Sequence, residues 1–482
     1  MGETMYWTRK NGLVLGIFIL LMTVGHAHAQ VPPPAGLTPP PKDTKNAFSG
    51  AVDGRMGFGQ VDEDFFMTIN LGTVLRWGQL GLGVQVPLRF RVVDEDPQNS
   101  TVLRKEDWDE VSDWTRVVRF LEWGSEKKPD PVYARLGVLS GVSLGHGTIV
   151  DRYYNVIDAD HYQTGLFVKL DMGVAGGEML LDNLIDPEIV GVRGTIRPLT
   201  FAKLGEFYDR FTVGVSLVGD VQAPRDPQYD LNEDERLIND DGDLVVTTEP
   251  LWFLGLDLGW KVIATDQFAL TPYMDFNIMG ATQGMGFHTG LLATFKAGDA
   301  VTVGSRIEYR AVDEDYAPNY VNSWYEVERV DFRNSPYADD PNESIPKLDY
   351  YVRRSEAGQE GTLQGINGAL DVTLFKAITI GGTYEDYQGA YNSNLTLRLL
   401  LPWIAGIKVS AYYAKRNFDQ FSEAFDLDGA LFVADAKWRA YGPMFVYARY
   451  SREWHLQKEG DNKGHYETIN NYDVGLGAQF TF

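Results

Sequence analysis

The chain has no cysteine in 482 residues. Disulfides and thiolate metal sites are therefore excluded. Positive charge is also in short supply. Lys and Arg number 43 against 67 Asp and Glu, a net charge of −24. That deficit argues against nucleic-acid binding, which needs a basic footprint. Beyond the first thirty or so residues there is no apolar run of the about 20 residues that a spanning helix needs. No Gly-rich phosphate loop, metal-ligand cluster or redox motif is present. No cofactor and no metal are expected.

What is present begins with a leader. Arg9 and Lys10 supply a positive region, and residues 13–24, LVLGIFILLMTV, a short apolar run. Ala27-His28-Ala29 fits a small-x-small cleavage site, with Gln30 as the first mature residue. Residues 1–29 read as a secretory signal, and the mature chain keeps 41 cationic and 66 anionic side chains, a charge of −25. Residues 30–46 are Pro-rich and read as an extended periplasmic lead segment. Those 17 residues are too few for a plug domain, which speaks against a TonB-gated transporter.

From residue 47 to 482 the chain alternates. In 80–92 Leu80, Leu82, Val84, Val86, Leu88, Phe90 and Val92 share one face, and Gly81, Gly83, Gln85, Arg89 and Arg91 the other. The same pattern recurs at 254–262, 268–278, 301–311 and 395–401. Period-two alternation marks strands with one apolar and one polar face. These runs have the length of a tilted strand crossing a bilayer, roughly 9 to 11 residues. Soluble sandwiches and propellers use shorter strands, about five or six residues. In lipid only a closed barrel satisfies every backbone group of a sheet.

The last strand, NYDVGLGAQFTF at 471–482, puts Tyr472, Val474, Leu476, Ala478, Phe480 and Phe482 on one face. Asp473, Gly475, Gly477, Gln479 and Thr481 lie opposite. This segment resembles the closing strand of Gram-negative outer-membrane β-barrels. The resemblance implies an outer-membrane location and a terminal Phe that serves as an assembly signal. It also implies contact with membrane lipid, lipopolysaccharide and the barrel-assembly machinery.

The expected fold is all-β: a transmembrane antiparallel up-and-down barrel of about 20 strands, or 18 if 177–185 and 188–198 form one hairpin or a loop. Short connections should alternate with long polar ones at 93–114, 142–161, 221–250, 313–360 and 455–469. Trp77, Trp123, Trp260, Trp403 and Trp438 flank the short turns and read as a periplasmic aromatic girdle. Val-Asp-Glu-Asp occurs at 61–64, 93–96 and 312–315. It is either a carboxylate ring for divalent cations and lipopolysaccharide or a set of solvated loop ends.

The lumen should carry the function. Inward positions hold Arg89, Arg91, Arg135, Arg306, Arg310 and Arg398, opposed by Asp257, Asp275 and Glu308. In a water-filled bore these charges set ion preference, and as salt-bridge ladders they brace the wall. The third outer loop, 142–161, contributes Arg152, Tyr153, Tyr154, Asp158 and Asp160. General porins resemble this arrangement in folding a third loop inward as a constriction. The expected function is a porin-like channel for small polar solutes or ions, without enzymatic activity. The competing readings are a barrel platform for adhesion, assembly or secretion partners, and a rim-site hydrolase built on Asp158, Asp160 and His161. A homo-oligomer or a protein partner fits the channel and the platform.

Overall fold

The structure, a computed structural model, describes residues 48–61, 64–93, 102–104, 107–108, 114–125, 131–156, 163–229, 235–239, 244–334, 344–358, 361–389, 391–427, 429–458 and 463–482. The leader and lead segments, together with Asp158, Asp160 and His161, lie outside the described residues.

Twenty strands cross the wall. They are β1 (Phe48–Val61), β2 (Asp64–Trp77), β3 (Leu80–Val93), β4 (Val118–Trp123) and β5 (Val132–Gly137). Next come β6 (Gly165–Asp171), β7 (Ala175–Leu181), β8 (Ile189–Ile196), β9 (Phe211–Pro227) and β10 (Val246–Trp260). Then β11 (Phe268–Met279), β12 (Met285–Ala297), β13 (Val301–Asp313), β14 (Thr362–Leu374) and β15 (Ile378–Tyr387) follow. The circuit ends with β16 (Ser393–Ile404), β17 (Ile407–Phe418), β18 (Leu431–Tyr441), β19 (Met444–Leu456) and β20 (Tyr466–Thr481). Each strand pairs antiparallel with its chain neighbours, and a two-residue piece, Ile263–Ala264, prolongs β10 along β11. β20 pairs β1 from Tyr472↔Gln60 to Thr481↔Ala51 and closes the ring. The segments read ambiguously at 177–185 and 188–198 are the separate wall strands β7 and β8, so the count is 20.

Alternation places the faces. Along β10 Trp252, Leu254 and Leu256 are exposed on the outside while Phe253, Gly255 and Asp257 are buried inside. Met274 and Phe276 on β11, and Val474, Leu476 and Phe480 on β20, extend the outer apolar belt. A closed barrel with such a belt is the architecture of outer-membrane proteins, since lipid accepts neither open sheet edges nor polar outer faces.

Three details differ from the expectation. The connection after β8 is long on the short-turn side, with a 3-10 turn at Pro198–Ala202 and a helical turn at Glu206–Asp209. It lies beside Trp260, whose ring sits 4.8 Å from that of Phe207. A register shift between Leu401 and Ile404 interrupts the alternation of β16, and the Trp403 ring packs 6.3 Å from the inward Phe445. Trp403 therefore leaves the outer girdle. The acidic motif at 312–315 is structural: Asp313 accepts the Met285 amide at 2.9 Å, Glu314 pairs with Arg354, and Asp315 accepts the Ser355 hydroxyl at 2.9 Å. These carboxylates fasten the loop after β13, while Asp62, Glu63, Asp94, Glu95 and Asp96 of the other two copies lie outside the described residues. No group of three or more acidic or histidine side chains placed to hold a metal occurs among the described residues.

Candidate functional site

Two of the long loops turn into the barrel. The first, 138–164, joins β5 to β6. The second, 314–361, joins β13 to β14. Their apolar side chains make one core with the inner wall. Leu144, Val150 and Tyr153 of the first loop and Tyr320, Tyr325 and Leu348 of the second pack with Phe167, Val218, Phe253 and Met279. Fully burying such a side chain contributes about 2 kcal/mol, so the loops are seated as a unit. The second loop also reaches the opposite wall, where Trp324 and Val327 meet Tyr412, Ala414 and Trp454.

The loops are stitched to each other by backbone. Val150 and Val321 form a parallel bridge. The Asp151 amide donates to the Val321 carbonyl at 2.9 Å, and the Val321 amide donates to the Ile149 carbonyl at 3.1 Å. The Asn319 amide donates to the Thr148 carbonyl at 3.1 Å. Within the first loop Ser140–Val142 pairs with Tyr153–Tyr154. The turn between them needs Gly147, at φ 85°. A Cβ there would lie 2.6 Å from Asp151 Oδ1 and 2.7 Å from Arg306 Nη1.

Wall charges grip the first loop. His146 Nδ1 lies 2.7 Å from Asp275 Oδ1, and the Thr148 hydroxyl donates to Asp275 Oδ2 at 2.8 Å. Arg306 donates to the His146 carbonyl at 2.9 Å and pairs with Asp151. Arg193 holds Asp257 at 2.7 and 2.9 Å and Glu178 at 3.2 Å, and Glu178 accepts the Gly145 amide at 2.8 Å. A small polar cavity remains behind the loop, lined by His146, Thr148, Asp257, Asp275 and Asn277 among others.

The second loop is held by a neighbouring cluster. Arg310 binds Glu308, Glu385 at 3.1 Å, Tyr387 and the Asn319 side chain at 2.9 Å. Tyr153 donates to Glu326, Tyr325 to Asp220, and Arg329 pairs with Glu188. Lys347 and Glu328 form an ion pair with both side chains buried. At the rim Asp182 is fully buried and its Oδ2 finds no partner. Burial first, and then the Glu326 carboxylate, push the Asp182 carboxyl up to about 7.

The predicted residues thus divide. Tyr153, Asp257, Asp275, Arg306, Glu308 and Arg310 hold the inward loops. Tyr154 lies in the first loop's hairpin, and Arg398 stands on the wall paired with Asp371. Arg89, Arg91 and Arg135 are elsewhere: Arg89 binds Asp107, Arg91 binds Asp64 at 2.7 Å, and Arg135 donates to the Val138 carbonyl at 2.8 Å. Asp107, fully buried, also accepts from Arg104 at 3.2 Å and Arg116 at 3.3 Å. Asp171 and Arg197 pair at 2.9 Å on the periplasmic rim.

Arg152 behaves differently from every other charge in the site. Its φ is 55°, the left-handed region. Its amide donates to the Ser143 hydroxyl at 2.9 Å. Its guanidinium takes no partner among the described residues, and Nη1 is shut off from solvent. Burial lowers its pKa below the ordinary arginine value, and Arg398 and Arg306 push the same way against the pull of Asp151.

Sequence reading missed His146, Thr148, Asp151, Asp182, Asn319 and Glu326. The Gly145-His-Gly147 turn was the available signal for the first three. The others acquire their roles only from contacts across the barrel.

No family model matches the chain, and no curated protein does. Among solved structures it is similar to the siderophore receptor PirA from Acinetobacter baumannii, at 10% identity over 90% of this chain and 81% of that one, with a TM-score of 0.38. It is also similar to OccK11 (OpdR) from Pseudomonas aeruginosa, at 9% identity over 90% and 96%, TM-score 0.33. The outer membrane protein opdK from the same organism gives 8% identity over 90% and 99%, TM-score 0.31. At these scores the likenesses carry no functional argument.

Proposed function

We propose that this twenty-strand outer-membrane barrel is a porin-like channel for small polar solutes or ions, narrowed by its two inward loops. The observation that carries the reading is the chemistry of the inner wall away from the loop core. There Arg76 pairs with Glu122 at 3.1 Å, Tyr447 and Thr68 donate to Asp473, and Arg55 stands by Asp53 at 3.7 Å. Lys408, Lys437 and Asp435 complete that stretch. Asp53, Arg76, Asp435 and Lys437 are themselves buried among their neighbours, and so dense a set of charges is costly in a dry interior and far less so beside a water-filled bore. The described histidines of the barrel interior, His146 and His288, face Asp275 and Glu308 and lack a serine partner. That arrangement suits bracing better than hydrolysis.

The test is single-channel conductance of the refolded protein in a planar bilayer. Discrete steps are expected. A folded, heat-modifiable and silent barrel would replace the channel by the platform reading, in which the seated loops present a surface to a partner.

A further inference from the structure

Among the described residues, each arginine that grips the first inward loop has a side-chain or backbone partner except one. Arg306 takes Asp151 Oδ2, and the Ser143 hydroxyl donates to Asp151 Oδ1 at 3.0 Å. Arg398 takes Asp371 Oδ1. Arg310 is held by Glu308 and Glu385. Arg152 is close enough to Arg306, Arg398, Asp151 and Asp371 to feel all four, yet bonds to none. Of these four guanidinium groups, Arg152 alone has no carboxylate bonded to it among the described residues.

We infer that Arg152 is an anion-binding site, where a passing solute docks one carboxylate or phosphate group on the free guanidinium. The inference rests on the channel reading and names a solute class for it. Three observations converge. The charge is unspent, whereas an arginine that merely bracing required would be paired like its neighbours. The backbone is strained, since a non-glycine residue seldom takes the left-handed region, and the loop hairpin and the Ser143 contact hold it there. The side chain keeps partial exposure and points among wall groups from β13, β14 and β16, with Tyr154 and the wall residue Tyr412 nearby to offer neutral hydroxyls. A planar guanidinium with unused N–H groups matches an oxyanion with two parallel hydrogen bonds, which an ammonium cannot reproduce.

The experiment uses the full barrel in a planar bilayer under a potassium chloride gradient, comparing wild type with Arg152→Gln and Arg152→Lys. Reversal potential reads selectivity, and added acetate or inorganic phosphate reads block. The chloride-to-potassium permeability ratio should fall roughly tenfold in Arg152→Gln, the size of one charge-assisted contact. Arg152→Lys should keep the wild-type reversal potential but lose the block. Stronger block by acetate assigns a carboxylate, and stronger block by phosphate assigns a phosphate. A conducting barrel whose reversal potential and block are unchanged in Arg152→Gln overturns the anion site and leaves the channel intact. A silent wild type overturns the channel reading and the anion site with it. Because Arg152 makes no side-chain bond, both variants should fold, and unchanged heat-modifiable mobility verifies it.

Discussion

Val150 and Val321, 171 positions apart in sequence, are partners in a parallel β-bridge inside the barrel. One comes from the loop after β5 and the other from the loop after β13. The bridge makes a single seated body of two loops that leave the wall at separate points. Since the chain has no cysteine, Val150→Cys with Val321→Cys should close one new disulfide under mild oxidation. Partner positions in a ladder fall within the Cα separation a disulfide spans, about 4.4–6.8 Å. Maleimide labelling after unfolding should drop to near zero. Two thiols still reactive after oxidation would show that the loops do not meet this way in solution.

Gly147 carries a sharper expectation. Its positive φ and the 2.6–2.7 Å approach of a Cβ to Asp151 and Arg306 leave no room for alanine. Gly147→Ala should cost about 1–3 kcal/mol and release the first loop from Arg306. Limited trypsin digestion should then cut at Arg152 while the barrel stays folded. Wild-type resistance in the variant would mean that the turn adapts.

The rim around Asp182 should make loop seating pH-dependent. Asp182 faces Glu326 and Arg329 of the second loop, Tyr153 of the first and Asp220 of the wall. With its loop docked the carboxyl titrates at about 7 instead of the ordinary 3.8. The docked state therefore holds a proton that the undocked state has released. That advantage is fully present below about pH 4 and is lost as pH rises through about 7, at roughly 1.4 kcal/mol per unit. Emission of the buried Trp324, two residues before Glu326, should shift red between pH 5 and 8. Asp182→Asn should flatten the response, and an unchanged slope in that variant would assign the titration to another group.

Asp107 joins three arginines from the outer half of the wall and its loop. Asp107→Ala strips the shared anion from side chains that are largely buried. It should cost about 3 kcal/mol and lower the unfolding temperature. A loss below about 0.5 kcal/mol would place the cluster with exposed pairs, whose contribution is small.

Phe482 extends the ladder by which β20 closes on β1. The Phe482 amide and carbonyl exchange hydrogen bonds with Gly50 at 3.0 and 2.8 Å, and its ring lies 5.9 Å from that of Phe48. A Cβ on Gly50 would meet that ring at 2.5 Å. Deleting Phe482 should lower the yield of heat-modifiable barrel in outer-membrane fractions. Normal yield would separate the terminal Phe from assembly.

The architecture was legible in the sequence because its cause is local. A strand that faces lipid on one side must alternate residue by residue, as Leu254, Leu256 and Leu258 do against Gly255 and Asp257. Turns such as Trp77-Gly78 mark the ends, since Gly78 takes φ 57°. The order of the strands and their faces follow from such patterns, for up-and-down connectivity leaves no topology to choose, whereas the choice between 18 and 20 strands was decided by the pairing of β7 and β8. Trp403 misled because it sits inside the register shift between Leu401 and Ile404.

The site is another matter. Nothing near residue 150 announces residue 321, and nothing in the sequence around Arg152 distinguishes it from Arg306 or Arg310. Whether a charge is paired depends on which groups arrive from other strands and loops. The closed wall fixes those distances, and it matches Arg306 and Arg398 while giving Arg152 no side-chain partner among the described residues. Local periodicity determined the barrel; the packing of two loops across its interior decided which of its arginines are paired.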